Sequence, residues 1–572
     1  MSRPVPEWFP RSIQILAGGR YDRAAFIADL LSGVTVGLVA LPLAMAFAIA
    51  SGLTPQAGIY CAVITGFLIS ALGGSRFQIG GPTGAFVVVI AGIVGRYGID
   101  GLFMCTLMAG VILVVMGLTG TGSAVKYIPR PVIIGFTNGI AIVIASTQLR
   151  DFLGLTVDMP GEFIGRVQVV AANLFAASRD SVLLGAATLA LLIAWSRYVK
   201  RVPAYIVALF AGTAAAMMLG LDVATIGSRF GGIPSGLPHF QVPVFRPQLI
   251  LDLISPALTV AMLGAIESLL SAVVADRMGG DRHNPNTELF AQGVANIVSP
   301  LFGGLPATGA LARTATNIRS GARSPVSGMI HAVTLLGILL FGARAAAYVP
   351  LPVLASILFV VAWNMSEWRE IANIWKQTYA DVLVWLATFL LTVLADLTVA
   401  VEVGMVMAAL LFIRRVSHTT TVSRVTPEYI ESGRPHILQD KVIPDYVAIF
   451  RIHGPFLFGS TDKLHDIAQQ AEKLPPVVIL RLRNMTAIDG TGLSAIEELA
   501  ADLRAKGRTL VICGAPSQPS GALSKAAFHA QLGDENICGS VQAALDRAAA
   551  IVRPMRNEPA NNASIGTTPP SR

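Results

Sequence analysis

The sequence predicts a polytopic α-helical membrane protein of about fourteen spans, with an internal repeat inverted in the bilayer and two half-helices, followed by a small α/β domain. Three observations carry this prediction. Of 572 residues, 53% are hydrophobic and only 13% are charged. That is about half the charge of a soluble globular chain, which excludes a water-soluble enzyme. The charge is also unevenly placed: residues 31–410 hold 36 charged positions in 380, and the other 192 residues hold 40. The first stretch is therefore membrane-embedded and the remainder soluble. The third observation is a pair of similar Gly/Pro-broken segments seven spans apart.

Apolar runs of spanning length lie near 27–50, 55–73, 101–122, 129–149, 181–197, 202–221, 255–275, 326–343, 379–394 and 396–413. About 20 residues cross a bilayer. Four further segments, 84–95, 287–302, 309–320 and 350–364, are short or broken, and counting them makes fourteen. An even number puts both termini on one side. With the amino terminus inside, fourteen basic loop residues, among them Arg76, Lys126, Arg130, Lys200, Arg201, Arg323 and Arg415, face the cytoplasm against seven outside. This is the expected asymmetry for an inner (plasma) membrane protein with both termini cytoplasmic. Residues 1–26 carry Arg3, Arg11, Arg20 and Arg23 but no signal-peptide core, and read as a cytoplasmic lead-in.

The two broken segments contain Gly81-Pro82-Thr83-Gly84-Ala85 and Leu305-Pro306-Ala307-Thr308-Gly309-Ala310. An odd separation turns the second copy upside down relative to the first. Each motif alone is also what a turn at a membrane helix start looks like; the matched pair predicts two crossing half-helices. A helix that begins at midplane presents unpaired N–H groups and the positive end of its dipole, roughly half a charge. Two such ends facing each other suit a small oxyanion. Glycines at 80, 81, 84, 303, 304 and 309 let backbone approach a ligand closely.

Two ionisable residues interrupt apolar runs: Glu267, and Arg313 one turn into the second half-helix. Intramembrane charge costs at least a few kcal/mol, so each must face a cavity or a partner, a mutual ion pair being the bland alternative. A desolvated carboxylate can load and release H⁺, which makes Glu267 the candidate coupling group. Ser271 lies one turn on, and Thr308, Thr314 and Asn317 are candidate polar neighbours. His331 reads as a packing residue.

From about 440 the texture changes to soluble α/β. Strand-like Tyr446–Ile452, Val477–Leu482 and Thr509–Cys513 alternate with helical patterns at 461–473, 492–506, 520–531 and 540–551. The division is then a transmembrane domain over 27–415, a linker over 416–440, the α/β domain over 441–555 and a tail of disordered composition over 556–572. Cys61, Cys105, Cys513 and Cys538 lack metal-ligand spacing and read as reduced packing residues. The net charge of +8 includes no Lys/Arg run longer than two, so no nucleic-acid partner is expected. Neither a cofactor nor a metal site is expected.

Leu53-Thr54-Pro55-Gln56-Ala57-Gly58-Ile59-Tyr60, Gly73-Gly74-Ser75-Arg76 and Gly80-Gly81-Pro82-Thr83-Gly84-Ala85 resemble the signature of the SulP anion transporters, related to animal solute carrier family 26. Ala310 to Asn317 resembles that family's tenth-helix motif, and the carboxy-terminal domain is similar to the STAS domain that accompanies it. The resemblance spans about 27–555. It implies a seven-plus-seven inverted repeat with core and gate subdomains, elevator-like alternating access, a homodimer, and an anion site between helices 3 and 10. Carried onto this sequence, the site falls on Thr83, Gly84, Ala85, Ala310 and Arg313, with Glu267 and Ser271 on helix 8. Similar bacterial bicarbonate transporters carry Asp and Thr at those helix 8 positions, tied to sodium. The turn Asp489-Gly490-Thr491-Gly492 resembles one whose Ser or Thr is phosphorylated in anti-sigma-factor antagonists, which marks Thr491; a helix cap explains the same residues.

The expected function is secondary active transport of a small inorganic oxyanion, sulfate first, with H⁺ as coupling ion and Na⁺ as the alternative. Bicarbonate or dicarboxylate transport, and a passive anion channel or exchanger on the same fold, are the other readings. Membrane lipid, a second copy of the chain and a cytoplasmic regulator at the STAS domain are the expected partners.

Overall fold

The computed structural model describes residues 9–17, 21–121, 129–199, 203–232, 236–395, 397–425, 443–525, 528 and 532–556. Arg3, Arg20, Lys126, Lys200, Arg201, linker residues 426–440 and the tail from 557 lie outside the described residues. The chain divides into two compact units, Met1–Ala408 and Ala409–Arg572.

In the first unit, α1 (Arg11–Ala17) precedes α2 (Arg23–Ala50), whose start is fixed by Asp22 accepting the Ala25 N–H. α3 (Pro55–Leu72) opens with proline where the missing N–H costs nothing. α4 (Gly84–Leu118) takes in two expected spans. At 1.5 Å per residue its 35 residues would exceed one crossing, and Gly98, at φ 72°, breaks it into a short half and a full span. There follow α5 (Arg130–Leu153), α6 (Phe163–Ala172), α7 (Arg179–Tyr198), α8 (Ala204–Met218), α9 (Ile226–Phe230), α10 (Ile250–Gly279), α11 (Pro285–Val298) and α12 (Leu311–Arg319). The helical part ends with α13 (Val326–Ala346), α14 (Leu351–Met365), α15 (Trp368–Ile374), α16 (Tyr379–Leu394) and α17 (Leu397–Thr419). Each expected span coincides with a helix or with one part of α4. Among the described residues, eight helical stretches are long and apolar enough to cross a membrane. The short α1, α6, α9 and α15 carry too few apolar residues in a row to register in a span-length reading.

The packing repeats across the two halves. α2 lies on α13 as α10 lies on α4, α3 on α13 as α11 on α4, and α5 on α16 as α14 on α7. A shift of seven spans carries each pair onto the other, which is the signature of the inverted repeat. Small residues permit these approaches, because in lipid close backbone packing replaces the hydrophobic effect as the driving force. A Cβ built on Gly33 would meet the Ser327 carbonyl at 2.4 Å, one on Gly135 the Trp385 carbonyl at 2.6 Å, and one on Gly293 the Val114 nitrogen at 2.5 Å.

Two short strands of the first unit, β1 (Gly80–Gly81) and β2 (Thr308–Gly309), precede α4 and α12. In the second unit, a five-stranded sheet runs in the order β3 (Thr421–Arg424), β4 (Val447–Phe456), β5 (Val477–Ile488), β6 (Thr509–Cys513), β7 (Ile537–Cys538). β3 pairs antiparallel and the others parallel. The strand period of two separates two cores. Leu480, Leu482 and Ile512 pack with helices α18 (Asp462–Gln469), α19 (Gly490–Ala505) and α20 (Ser517–Lys525). Ile479, Val511 and Cys513 pack with α21 (Val541–Arg556) on the other face. The sequence reading places a linker from 416; instead 416–419 complete α17 and Thr421–Arg424 form an edge strand. Polar, threonine-rich edge strands lack the apolar alternation that reveals buried ones.

Two outcomes follow. Gly293→Val pushes α11 off α4 at an overpacking cost of about 1–3 kcal/mol, seen as a lower melting temperature in detergent by fluorescence-detected size exclusion; unchanged melting would mean that the helices have room to spare. Burial also pushes the Cys513 thiol up to about 12, so at pH 7.5 a maleimide reacts with half-buried Cys538 far faster than with Cys513. Mass spectrometry of the labelled peptides checks this, and equal rates would contradict the buried position.

Candidate functional site

The two chain breaks meet. Gly80–Gly81 pairs antiparallel with Thr308–Gly309, Gly80 opposite Gly309 and Gly81 opposite Thr308, and the Ala310 N–H donates to the Ile79 carbonyl at 2.8 Å. Non-helical backbone inside a bilayer must find partners within the protein, and here each break supplies the other's. Side chains complete the pairing. Asn296 accepts the Ala307 N–H at 2.9 Å and donates to the Ala307 carbonyl at 2.8 Å. Thr314 Oγ1 accepts the Ile79 N–H at 3.0 Å, and Thr308 Oγ1 donates to the Gly264 carbonyl at 2.8 Å. Gly309 has no space for a side chain: a Cβ there would fall 1.9 Å from Gln78 Nε2.

From this crossing two helices leave. α4 starts after Thr83 and α12 after Ala310, and neither start is capped by a side chain. Both open on one cavity of about 470 Å³, lined by Thr83, Gly84, Ala310, Leu311, Ala312 and Arg313. Its other walls come from α2, α5, α8, α10, α14 and α17, chiefly through apolar side chains such as Phe47, Phe136, Leu263 and Met365. Uncapped helix N-termini bring partial positive charge and unpaired N–H groups to the chamber, which favours negative charge there.

Glu267 lines this cavity, and its Oε2 accepts a hydrogen bond from Thr83 Oγ1 at 2.9 Å. The residue that starts the first half-helix is thus tied to the carboxylate on α10. Arg313 is 2% exposed; its Nη2 donates to the Pro82 carbonyl, and Nη1 has no hydrogen-bond partner. No ion pair joins Arg313 to Glu267 among the described residues. Each group faces the cavity in its own right, Arg313 held by the first break and Glu267 by Thr83.

Ser271 and Ala85 lie elsewhere. Ser271 is fully buried and donates to Thr314 Oγ1 at 3.2 Å, supporting the crossing from behind. Ala85 is buried in the first turn of α4, outside the cavity lining. Asn317 holds the Phe77 carbonyl and Ser327 Oγ, both at 2.9 Å, and His331 is buried on α13. The cavity also takes in Thr137, Tyr205, Asn364 and Glu367, which sequence reasoning missed because they stand on helices remote from the motifs. In the second unit Asp489 caps α19, accepting the Gly492 N–H at 2.8 Å, and leaves Thr491 exposed in the first turn.

Comparisons with known proteins agree with this architecture. The model of the "Sulfate permease family" matches residues 26–388 and that of the "STAS domain" residues 439–544. "Putative sulfate transporter YvdB" of Bacillus subtilis is 41% identical over 90% of this chain and 96% of its own length. "Bicarbonate transporter BicA" of Synechocystis is 34% identical over 94% and 97%. Among solved structures, SLC26A9 covers 96% of this chain and 94% of its own at a TM-score of 0.85 and 17% identity, a likeness of fold. The transmembrane domain of a cyanobacterial BicA covers 67% of this chain and 97% of its own, with a TM-score of 0.60 and 36% identity. Paired half-helices at an anion-receptive cavity, an inverted repeat and an appended α/β domain thus have one source: the chain belongs to the sulfate permease (SulP) family of anion transporters, multi-pass membrane proteins that are not enzymes, and carries a C-terminal STAS domain.

Proposed function

We propose that the protein is a proton-coupled secondary transporter of a small divalent oxyanion, sulfate, in the plasma membrane with both termini cytoplasmic. The observation that carries this reading is the hydrogen bond between Glu267 and Thr83 at the mouth of an uncapped half-helix. Two helix ends contribute about half a positive charge each, and Arg313 adds one, a total that matches a dianion. The bicarbonate alternative draws on the 34% identical relative named for that substrate; Glu267 and Ser271 in place of the Asp and Thr tied to sodium, and Arg313 in place of an uncharged residue, favour a proton over sodium.

Coupling follows from charge. An ionised Glu267 beside the anion site repels the substrate, whereas the protonated acid does not, so proton and anion bind with positive linkage. Thr83 transmits the change because its hydroxyl bridges the carboxylate and the helix start. The α2–α4 and α10–α13 core then carries both ligands past the gate of α5–α8 and α14–α17 in an elevator movement. A homodimer and a STAS domain that docks a cytoplasmic regulator complete the proposal. The exposed Thr491 hydroxyl suits phosphorylation, since a phosphate there would meet a helix N-terminus.

The test is uptake of labelled sulfate, bicarbonate and fumarate into proteoliposomes, each with and without a pH or sodium gradient; sulfate uptake driven by a pH gradient is expected, and sodium-driven bicarbonate uptake would overturn the reading. In the wild type KM falls as the outer pH falls, because acid loads Glu267. In Glu267→Gln that pH dependence disappears and gradient-driven accumulation is lost while anion exchange survives; accumulation at the wild-type level would remove Glu267 from the coupling role.

Arg313→Ala raises KM by up to about 30-fold, equivalent to about 2 kcal/mol for a partly shielded cation at a helix terminus, with a smaller change in maximal rate. Unchanged KM together with a lowered melting temperature would restrict Arg313 to holding the Pro82 carbonyl.

A further inference from the structure

The cavity holds a second carboxylate that binding of an anion does not explain. Glu367 lies at the corner between α14 and α15, exposed, and lines the same chamber as Glu267. Its backbone N–H donates to Asn138 Oδ1 on α5 at 3.0 Å, which fixes the corner against the gate. Although Glu367 occupies the N-cap position of α15, its side chain makes no capping bond. The nearby cation is engaged elsewhere: Arg130 pairs with Glu370 at 3.1 Å. Among the described residues no ion pair includes Glu367. An unpaired carboxylate at the entrance repels an anion, so at this position it opposes substrate entry unless it serves another ion.

The chamber that the two acids share is lined chiefly by apolar side chains, among them Val132, Ile133, Ile266, Leu270 and Met365. The charged or titratable groups facing Glu367 are Glu267 and Arg313 across the chamber, Tyr205 on α8, and Arg130 and Glu370 at the rim. A phenol and a guanidinium give up or accept protons at pH values far from neutral, and Glu370 is held in its ion pair. Among the described residues that line the cavity, Glu367 is the one further side-chain carboxylate able to receive a proton from Glu267 before bulk water.

We infer that Glu367 is the gate-side proton acceptor, taking the proton from Glu267 through cavity water and releasing it to the aqueous phase when the core has turned toward it. The transfer balances as Glu267 carboxylic acid and Glu367 carboxylate becoming Glu267 carboxylate and Glu367 carboxylic acid, which then deprotonates to solvent. Emptied of its proton, Glu267 repels the anion and the core resets. This rests on the proton-coupled reading of the site above.

The experiment compares net sulfate uptake driven by a pH gradient with sulfate–sulfate exchange, in proteoliposomes of the full chain carrying no substitution, Glu367→Gln, Glu367→Asp or Glu267→Gln. Net transport requires proton release on the far side, whereas exchange returns the loaded carrier without it. Glu367→Gln is expected to lower the ratio of net uptake to exchange by about tenfold or more, the scale of a lost proton-transfer group. Glu367→Asp restores the ratio, and so does abundant imidazole in the lumen, which carries the proton in place of the missing acid. A structural defect would lower both fluxes together and would not answer to buffer. If Glu367→Gln keeps the wild-type ratio at low buffer while Glu267→Gln loses coupling, Glu367 is not the acceptor and the coupling reading stands. If the unsubstituted protein shows no proton-driven uptake, the coupling reading and this inference fall together.

Discussion

Leaving a peptide group unpaired in hydrocarbon is the cost around which the membrane part is organised. Two segments leave the helical state in mid-bundle, and they do so at the same place, where Gly80–Gly81 and Thr308–Gly309 pair with each other. The pairing leaves the amides of two helix starts as the groups without partners, and those groups face a cavity. The inverted repeat makes this meeting possible, since only a copy turned over in the bilayer brings two breaks together head to head. Asn296, Thr308 and Thr314 are then the residues that keep the crossing rigid, although none of them lines the cavity.

Anion affinity built from backbone leaves side chains free for other tasks. Helix ends and a single buried guanidinium supply positive potential without a cluster of cations that the lipid environment would penalise. The carboxylate on α10 can then act as a switch on that potential. Its hydroxyl partner Thr83 stands at the first helix start, so under the proposed coupling the proton and the anion would meet at one residue. The same economy explains the apolar walls: with water limited to the chamber, each charge in it counts for more than it would in solution.

The STAS domain follows different physics. Its sheet is covered on both faces by helices and has separate apolar cores on each side, so its stability comes from ordinary burial. The helix start at Asp489 is satisfied by that side chain, in contrast to the uncapped starts of α4 and α12.

Composition and hydropathy alone determined the division into a membrane part and a soluble part, the number of spans and the inverted repeat, because burial in lipid or in a core imposes periodicities that survive in a linear string. The half-helices were legible from the matched pair of Gly/Pro motifs, since single prolines such as Pro42 in α2 and Pro256 in α10 leave their helices unbroken. Glu267 and Arg313 followed from the cost of intramembrane charge and Gly84 from the broken motif, whereas Thr83 and Ala310 came from the resemblance to the SulP family. Contacts between distant helices were not legible. That Glu267 bonds Thr83 rather than Arg313, that Ser271 supports Thr314 from behind, and that Glu367 shares the cavity depend on how α10, α12 and α14 are rotated about their axes. Rotation is decided by close packing, as where Gly212 of α8 meets Val353 of α14 and Gly309 meets Ser268 of α10. Edge strand β3 belongs with these, since its polar residues gain their identity as a strand only from the neighbour they pair with.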